Sequence, residues 1–293
     1  MRSARGEARP VLKWAGGKSQ LLEPILARLP ERIDTYYEPF VGGAAVFFAL
    51  AAEGRFSRAV LSDKNPEIVG VYRALQEDVE GVIARLRRFK HSEKDFYEIR
   101  AMKPRTLAGR AARTIYLNKT GYNGLYRVNR SGEFNVPFGR YANPRYCDEE
   151  RLRAAARVLE GVRLEEADFE AAARAAGPGD AVYLDPPYVP LSKTANFVAY
   201  DRHPFGPAEH ARLAGAFADL ARRGVRAVLS NSDTPETRAL YRGYQVELVE
   251  VARNINSRAE GRGPILEILV VSEPARRRGR LAVSSSRRRS RAP

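Results

Sequence analysis

The chain has 293 residues, is 44% hydrophobic and carries a formal net charge of +15, so it can bury a sizeable core as one large domain or as a domain bearing an insertion. The opening MRSARGEARP lacks an apolar signal core, and no stretch approaches the roughly 18 uncharged apolar residues of a membrane span; a soluble, cytoplasmic protein is expected. With one cysteine, Cys147, and three histidines, His91, His203 and His210, neither a disulfide framework nor a thiolate or imidazole metal cluster can be assembled, and no metal is expected.

From about residue 34 to 76 strand-like and helix-like runs alternate: TYYEPF, GGAAVFFALAAEG, RAVLSD and PEIVGVYRALQ. This βαβα order predicts a parallel sheet covered by helices. The alternation lapses between about 77 and 160. There, charged helical stretches (EGVIARLRRFKHSEKDFYEIRAM, EERLRAAARVLEG) flank the Gly- and Asn-rich NKTGYNGLYRVNRSGEFNVPFGRYANP, which reads as an inserted subdomain. Alternation resumes with VRLEEA, DFEAAARAA, AVYLD, PAEHARLAGAFADLARRG, VRAVLSN, TPETRALY, YQVELVEV and ILEILVV. The helix over 207–223 has Pro207 in its first turn, Leu213, Phe217 and Leu220 at helical spacing, Arg222 and Arg223 at its negative end, and Gly224 as its stop. The chain thus divides into a discontinuous catalytic domain, 11–76 with 160–273, an insert, 77–159, and a basic tail, 275–293. The tail holds eight arginines and no acid, which leaves +7 for the first 274 residues; it reads as disordered. A basic body with 14 tyrosines and 12 phenylalanines suits a polyanion such as nucleic acid, and a charge excess that serves only solubility is the competing reading.

In an open α/β sheet ligands bind beyond the carboxyl ends of the strands. Four predicted ends carry an acid: Glu38 before PFVGG, Asp63 in LSDKN, Asp168 in EEADF and Asp185 in LDPPY. Asp63, after the second strand, fits a ribose-binding acid, because a carboxylate accepts from two adjacent hydroxyls. The turn at Gly42-Gly43 lets backbone approach a ligand at a helix N-terminus. For each acid alone a helix N-cap or solvated loop end is the competing reading. GxGxxG at the first turn and GxxxxGK[ST] are both absent, so a nucleoside other than a dinucleotide or a nucleoside triphosphate is indicated. KWAGGKSQLL places Trp14 and Lys18 around paired glycines, a base face and a cation, although Trp14 also reads as a core residue. In Asp185-Pro186-Pro187-Tyr188 two prolines fix the turn and remove its backbone donors. The Asp185 carboxylate and the Pro186 carbonyl can each accept one N–H of an exocyclic amine, and Tyr188 offers a stacking face.

In order, KWAGGK, EPFVGGAAVFF, LSDKN, GYNGLYRVNRSGEFNVPFGRY, DPPYVPLSKTANFVAY and LSNSD resemble the Dam-type (D12 class) DNA adenine-N6 methyltransferases, from about Val11 to Ser272. The resemblance implies a Rossmann-like, seven-stranded α/β methyltransferase sheet with an inserted, mainly helical target-recognition subdomain. It also implies S-adenosylmethionine as methyl donor and double-stranded DNA as substrate, methylated on adenine within GATC after the base is flipped out. By matching position, Trp14, Lys18, Glu38, Phe40, Asp63, Asp168, Phe169 and Asp185 would hold the cofactor, while Asp185, Pro186 and Tyr188 would act on the target base. Tyr122 and Asn123 would enter the DNA and Leu125 and Arg127 would read bases; Lys13, Asn135 and Pro137 would add contacts. The segment 190–200, with Lys193, Asn196 and Phe197, would close over the flipped adenosine. Ala44 stands where the family more often has a third glycine, expected to be a mild change at a helix start. Competing classes are an N4-cytosine or RNA methyltransferase, whose turns more often read SPPY or NPPY, and a non-catalytic DNA-binding protein. A cognate restriction endonuclease and a solitary role in mismatch-repair marking are both left open.

Overall fold

Strands buried on both faces carry continuous apolar runs, since every side chain needs an apolar neighbour, and the buried stretches YY, AVL, AVYL and AVL all obey that rule. A computed structural model describes residues 8–14, 20–129, 131–190, 205–252 and 264–274. Lys18, Lys193, Asn196 and Phe197 lie outside those residues, as does the 275–293 segment.

The first half builds α1 (Leu22–Leu26), β1 (Ile33–Glu38), α2 (Ala45–Glu53), β2 (Phe56–Asp63) and α3 (Pro66–Leu86). Then come α4 (Glu93–Ala101), α5 (Leu107–Thr120), a 3-10 turn at Tyr122–Gly124 and α6 (Glu149–Leu159). The second half runs β3 (Arg163–Glu166), α7 (Phe169–Arg174), β4 (Ala181–Leu184), α8 (Pro207–Arg222), β5 (Arg226–Ser232), α9 (Pro235–Leu240), β6 (Tyr244–Ala252) and β7 (Pro264–Pro274). The described strands form one seven-stranded sheet ordered β3-β2-β1-β4-β5-β7-β6. The first five pair in parallel and β7 is antiparallel to both β5 and β6. The α/β class and the seven-stranded sheet are therefore as expected. The chain leaves β1 in one direction and returns beside it at β4, so the order reverses between those two strands, where such sheets bind ligands.

Side chains alternate across the sheet. Tyr36, Leu61, Tyr183 and Val228 join one core with Phe47, Tyr72 and Ile115. Their sequence neighbours Tyr37, Val60, Val182, Leu184 and Leu229 join the other with Phe169, Leu213 and Phe217. Burying each such side chain contributes about 1.5–3 kcal/mol.

Three local features differ from the sequence reading. NKT belongs to the last turn of α5, not to the glycine-rich segment. Asn118, Lys119 and Thr120 are buried, and Asn118 accepts from the Lys13 N–H and donates to its carbonyl, both at 2.7 Å. The helix α3 passes through the expected boundary at residue 76 and breaks at Asp78 (φ −152°, ψ 63°), whose carboxylate caps the Gly81 N–H at 2.9 Å. Ala44 is not a mild substitution: it is the N-cap of α2 with φ 56°, a left-handed conformation that costs a residue with a Cβ about 1–2 kcal/mol.

Candidate active site

Polar side chains collect at the carboxyl edge on both sides of the β1/β4 junction. On the β1 side the chain leaves the sheet through Glu38, turns at Gly42-Gly43 and enters α2. Gly42 has φ +41°, and a Cβ there would lie 2.6 Å from Trp14 Nε1, so the half-buried indole rests on a turn that only glycine can make. Asp63, at the end of β2, accepts from the Gly42 N–H at 3.2 Å and the Asn65 N–H at 2.9 Å. Its half-buried carboxylate stays at the rim of this cradle. Glu38 sits deeper, 3% exposed, with Oε2 accepting from Tyr36 OH at 2.8 Å and the Phe47 N–H at 3.1 Å. Burial, reinforced by Asp185, raises its pKa to about 8 against the two hydrogen bonds, and burial followed by Glu38 raises the Tyr36 phenol well above its ordinary range.

Phe40 stacks on Phe169 at 5.4 Å, with Phe205 edge-on to Phe40 at 5.9 Å. Asp168 lies just past the end of β3 as the N-cap of α7, accepting from the Glu170 N–H at 3.0 Å. Sequence pattern alone left that cap and a ligand role as alternatives; the cap is made, and the same oxygen receives Arg212 Nη2 at 2.9 Å. Arg212 also pairs with Glu170 and Glu209 and lies 5.0 Å over the Phe169 ring. Nearby His210 is buried, and burial lowers its pKa to about 4, so its imidazole is neutral.

On the β4 side the Asp185-Pro186-Pro187-Tyr188 turn follows Leu184 directly. Asp185 Oδ1 accepts from Ser230 Oγ at 2.9 Å. Tyr188 OH donates to Glu267 Oε2 at 2.8 Å, and the Val189 N–H to Asn231 Oδ1 at 3.0 Å. Burial, then Asp185 and Glu267, hold the Tyr188 phenol well above its ordinary pKa. Ser230, Asn231 and Glu267 received no role in the sequence reading. For Ser230 and Asn231 the one signal was LSN at the end of a strand-like run, because neighbours of a functional strand end share its edge; Glu267, within ILEILVV, carried none.

The remaining predicted residues form a separate strip. Tyr122 is 47% exposed, Asn123 has φ 54°, and the Tyr122 N–H donates to the carbonyl of the exposed Pro137 at 2.9 Å. Leu125 is half-buried. Exposed Arg127 donates from Nε to Asn135 Oδ1 at 2.7 Å and from Nη2 to the Asn135 carbonyl at 3.2 Å. Lys13 is exposed, with Nζ 4.1 Å from the Tyr141 ring centroid, while Trp14 stacks on Tyr126 at 5.9 Å. The segment carrying Lys13 and Trp14 thus touches both the strip and the glycine turn. No group of three or more potential metal ligands occurs among the described residues, and no helix there is long and apolar enough to cross a membrane.

A mostly parallel seven-stranded sheet whose reversal point is lined by acids, a glycine turn and a prolyl turn has the architecture of an α/β methyltransferase. A profile of the D12 class N6 adenine-specific DNA methyltransferases matches residues 14–255, and the chain belongs to that family. It is 37% identical over 274 residues to the type II methyltransferase M1.LlaDCHI of Lactococcus lactis subsp. cremoris, covering 90% of this chain and 95% of that one. It is 36% identical over 272 residues to the DNA adenine methylase of Escherichia coli K12, covering 91% and 96%. Among solved structures a precorrin 8W decarboxylase from Methanobacterium thermoautotrophicum aligns over 90% of this chain and 97% of that one at 13% identity, with a TM-score of 0.38. The protein is therefore an adenine-specific DNA methyltransferase, and its family implies a methyl donor of the S-adenosylmethionine type.

Proposed function

We propose that the chain methylates N6 of adenine within GATC in double-stranded DNA, using S-adenosylmethionine and acting on a flipped base. The observation that carries this is the prolyl turn of β4 standing beside the glycine cradle of β1. The cradle fits the donor. Gly42 lets the Trp14 indole pack directly on the turn, Asp63 offers a carboxylate for ribose hydroxyls at its rim, and the Phe40–Phe169 stack with Asp168 offers an apolar wall ending in an acceptor. Trp14, Glu38 and Lys18 complete the proposed set.

When bound, the donor supplies an electrophilic methyl group. Asp185 and the Pro186 carbonyl accept the two N–H bonds of the adenine amine and so aim its lone pair, while Tyr188 backs the ring. The amine proton leaves to water after transfer, and no residue is assigned as general base.

Residues 77–159 serve as the target-recognition part and 11–76 with 160–273 as the catalytic part. Tyr122 and Asn123 fill the space left by the flipped base, offsetting part of an unstacking cost of a few kcal/mol. Arg127 reads guanine, a contact that contributes about 1–3 kcal/mol of discrimination, with Leu125, Pro137, Asn135 and Lys13 beside it. Lys193 and Asn196 act on the substrate from the 190–200 segment, and the 275–293 arginines add salt-dependent phosphate affinity.

The test is incubation with labelled S-adenosylmethionine and plasmid DNA, followed by digestion with nucleases sensitive to, or dependent on, GATC adenine methylation. Label in DNA that leaves GATC cleavage unchanged would overturn the site. Asp185→Ala abolishes transfer while cofactor binding stays measurable; normal turnover would sink the amine-acceptor role. Arg127→Ala relaxes sequence choice more than it weakens nonspecific binding, and a uniform loss across all sequences would refute base reading.

A further inference from the structure

The geometry points to Ser230 as a positioning residue that holds the acid of the prolyl turn, Asp185, in working orientation. This rests on the reading of Asp185 as a group that receives the target adenine, and it gives LSNSD a function.

Pro186 and Pro187 have no N–H, so the turn cannot tie itself down through its own backbone donors. Its anchors come from the neighbouring strands. Ser230 is fully buried on β5 and faces Leu269 of β7 across an antiparallel ladder, while β5 is laddered to β4 on its other side through Leu184 and Leu229. Its position is therefore set by two strands. From there Oγ reaches Asp185 Oδ1 at 2.9 Å and Tyr183 OH at 2.9 Å.

Hydroxyl bookkeeping gives the contacts a direction. A carboxylate only accepts, and a serine hydroxyl has one proton, so Ser230 donates to Asp185 and Tyr183 donates to Ser230. The result is a one-way chain from the β4 core, Tyr183 to Ser230 to Asp185, that fixes which carboxylate oxygen faces the protein. Charge-assisted bonds of this kind are the stronger ones, and small misplacements at a reacting centre cost large factors in rate. Asn231 and Glu267 hold the far end of the same turn through Val189 and Tyr188.

The experiment measures single-turnover methyl transfer on a GATC duplex preloaded with saturating enzyme and S-adenosylmethionine, alongside separate dissociation constants for cofactor and DNA. Ser230→Ala is expected to slow transfer at least tenfold, about 1.4 kcal/mol of barrier, with both dissociation constants moving less than about threefold. Ser230→Thr, which keeps the hydroxyl, restores most of the rate. Tyr183→Phe slows transfer in the parent protein but adds nothing in the Ser230→Ala background, because its effect passes through Ser230.

An unchanged single-turnover rate in Ser230→Ala overturns the inference. So does a loss of rate matched by equal losses of cofactor and DNA affinity, or an additive Tyr183→Phe effect. Asp185→Ala separates the two levels: if it retains full transfer, the reading of the turn itself fails, whereas an inactive Asp185→Ala beside a fully active Ser230→Ala refutes only the positioning role.

Discussion

Replacing Glu38 by glutamine tests how the carboxyl edge is wired. Glu38 is 3% exposed, and burial raises its pKa from 4.5 to about 8. Between those two values the folded protein holds a proton that the unfolded chain has released. The stability linked to that proton is complete below pH 4.5, falls as pH rises through the window, and is gone above about 8. At about 1.4 kcal/mol per unit, the separation between 4.5 and 8 sets a ceiling of about 5 kcal/mol on the effect. Glutamine mimics the protonated acid: its carbonyl can accept from Tyr36 OH and the Phe47 N–H as Oε2 does, and it never ionises.

Glu38→Gln should therefore match the parent below pH 4.5 and become progressively more stable than it up to about pH 8, by several kcal/mol there and beyond. Urea unfolding followed by circular dichroism at unit pH intervals, with cofactor and DNA absent, reads this directly. The quantity to follow is the difference between the two proteins, since every other titrating group then cancels. A difference that stays constant from pH 5 to 9 would mean that Glu38 is ionised throughout, and the account of burial as the governing influence would be wrong.

Two further substitutions probe the cofactor side. Gly42→Ala places a Cβ 2.6 Å from Trp14 Nε1 at φ +41°, so it is expected to cost about 1–3 kcal/mol of stability and to weaken S-adenosylmethionine binding at least tenfold by calorimetry; unchanged affinity would show that the turn does not cradle the cofactor. Arg212→Ala removes the guanidinium from Asp168 and from the Phe169 face. Because its ion pairs are substantially exposed, stability should change by less than about 1 kcal/mol, while the KM for S-adenosylmethionine rises severalfold and kcat holds; a KM equal to the parent's would leave Arg212 a surface residue only.

The parallel sheet was legible because its strands are apolar runs spaced by helical ones, and three of the four strand-end acids do lie at the edges of β1, β2 and β4. What was hidden depends on partners far along the chain. Asp168 is held by Arg212, and Asp185 by Ser230; nothing near either acid in the sequence announces those neighbours. Glu38 looked like its fellow acids, but its depth follows from α2 closing over it through the Phe47 N–H. The α5 helix escaped because its final turn, Asn118 to Thr120, is polar and runs into a glycine, the pattern of a loop; burial against Lys13 and the strip overrides it. Ala44 gave no warning, since left-handed backbone is read from glycine or asparagine and alanine carries no such mark.

Asn118 joins the two halves of the site. Asn118 binds both the N–H and the carbonyl of Lys13 at 2.7 Å and also donates to the Gly124 carbonyl at 3.3 Å, so the backbone before Trp14 is fastened to the strip that begins at Tyr122. Gly124 could carry no Cβ there, because the atom would stand 2.6 Å from that of Lys13. The next residue, Trp14, lies against Tyr126 on one side and Gly42 on the other. The strip therefore packs through Trp14 on the turn that precedes α2, whereas Asp185 and Tyr188 are fastened to β5 and β7 instead. The strip and the glycine turn are thus fastened to each other, and the prolyl turn to the sheet.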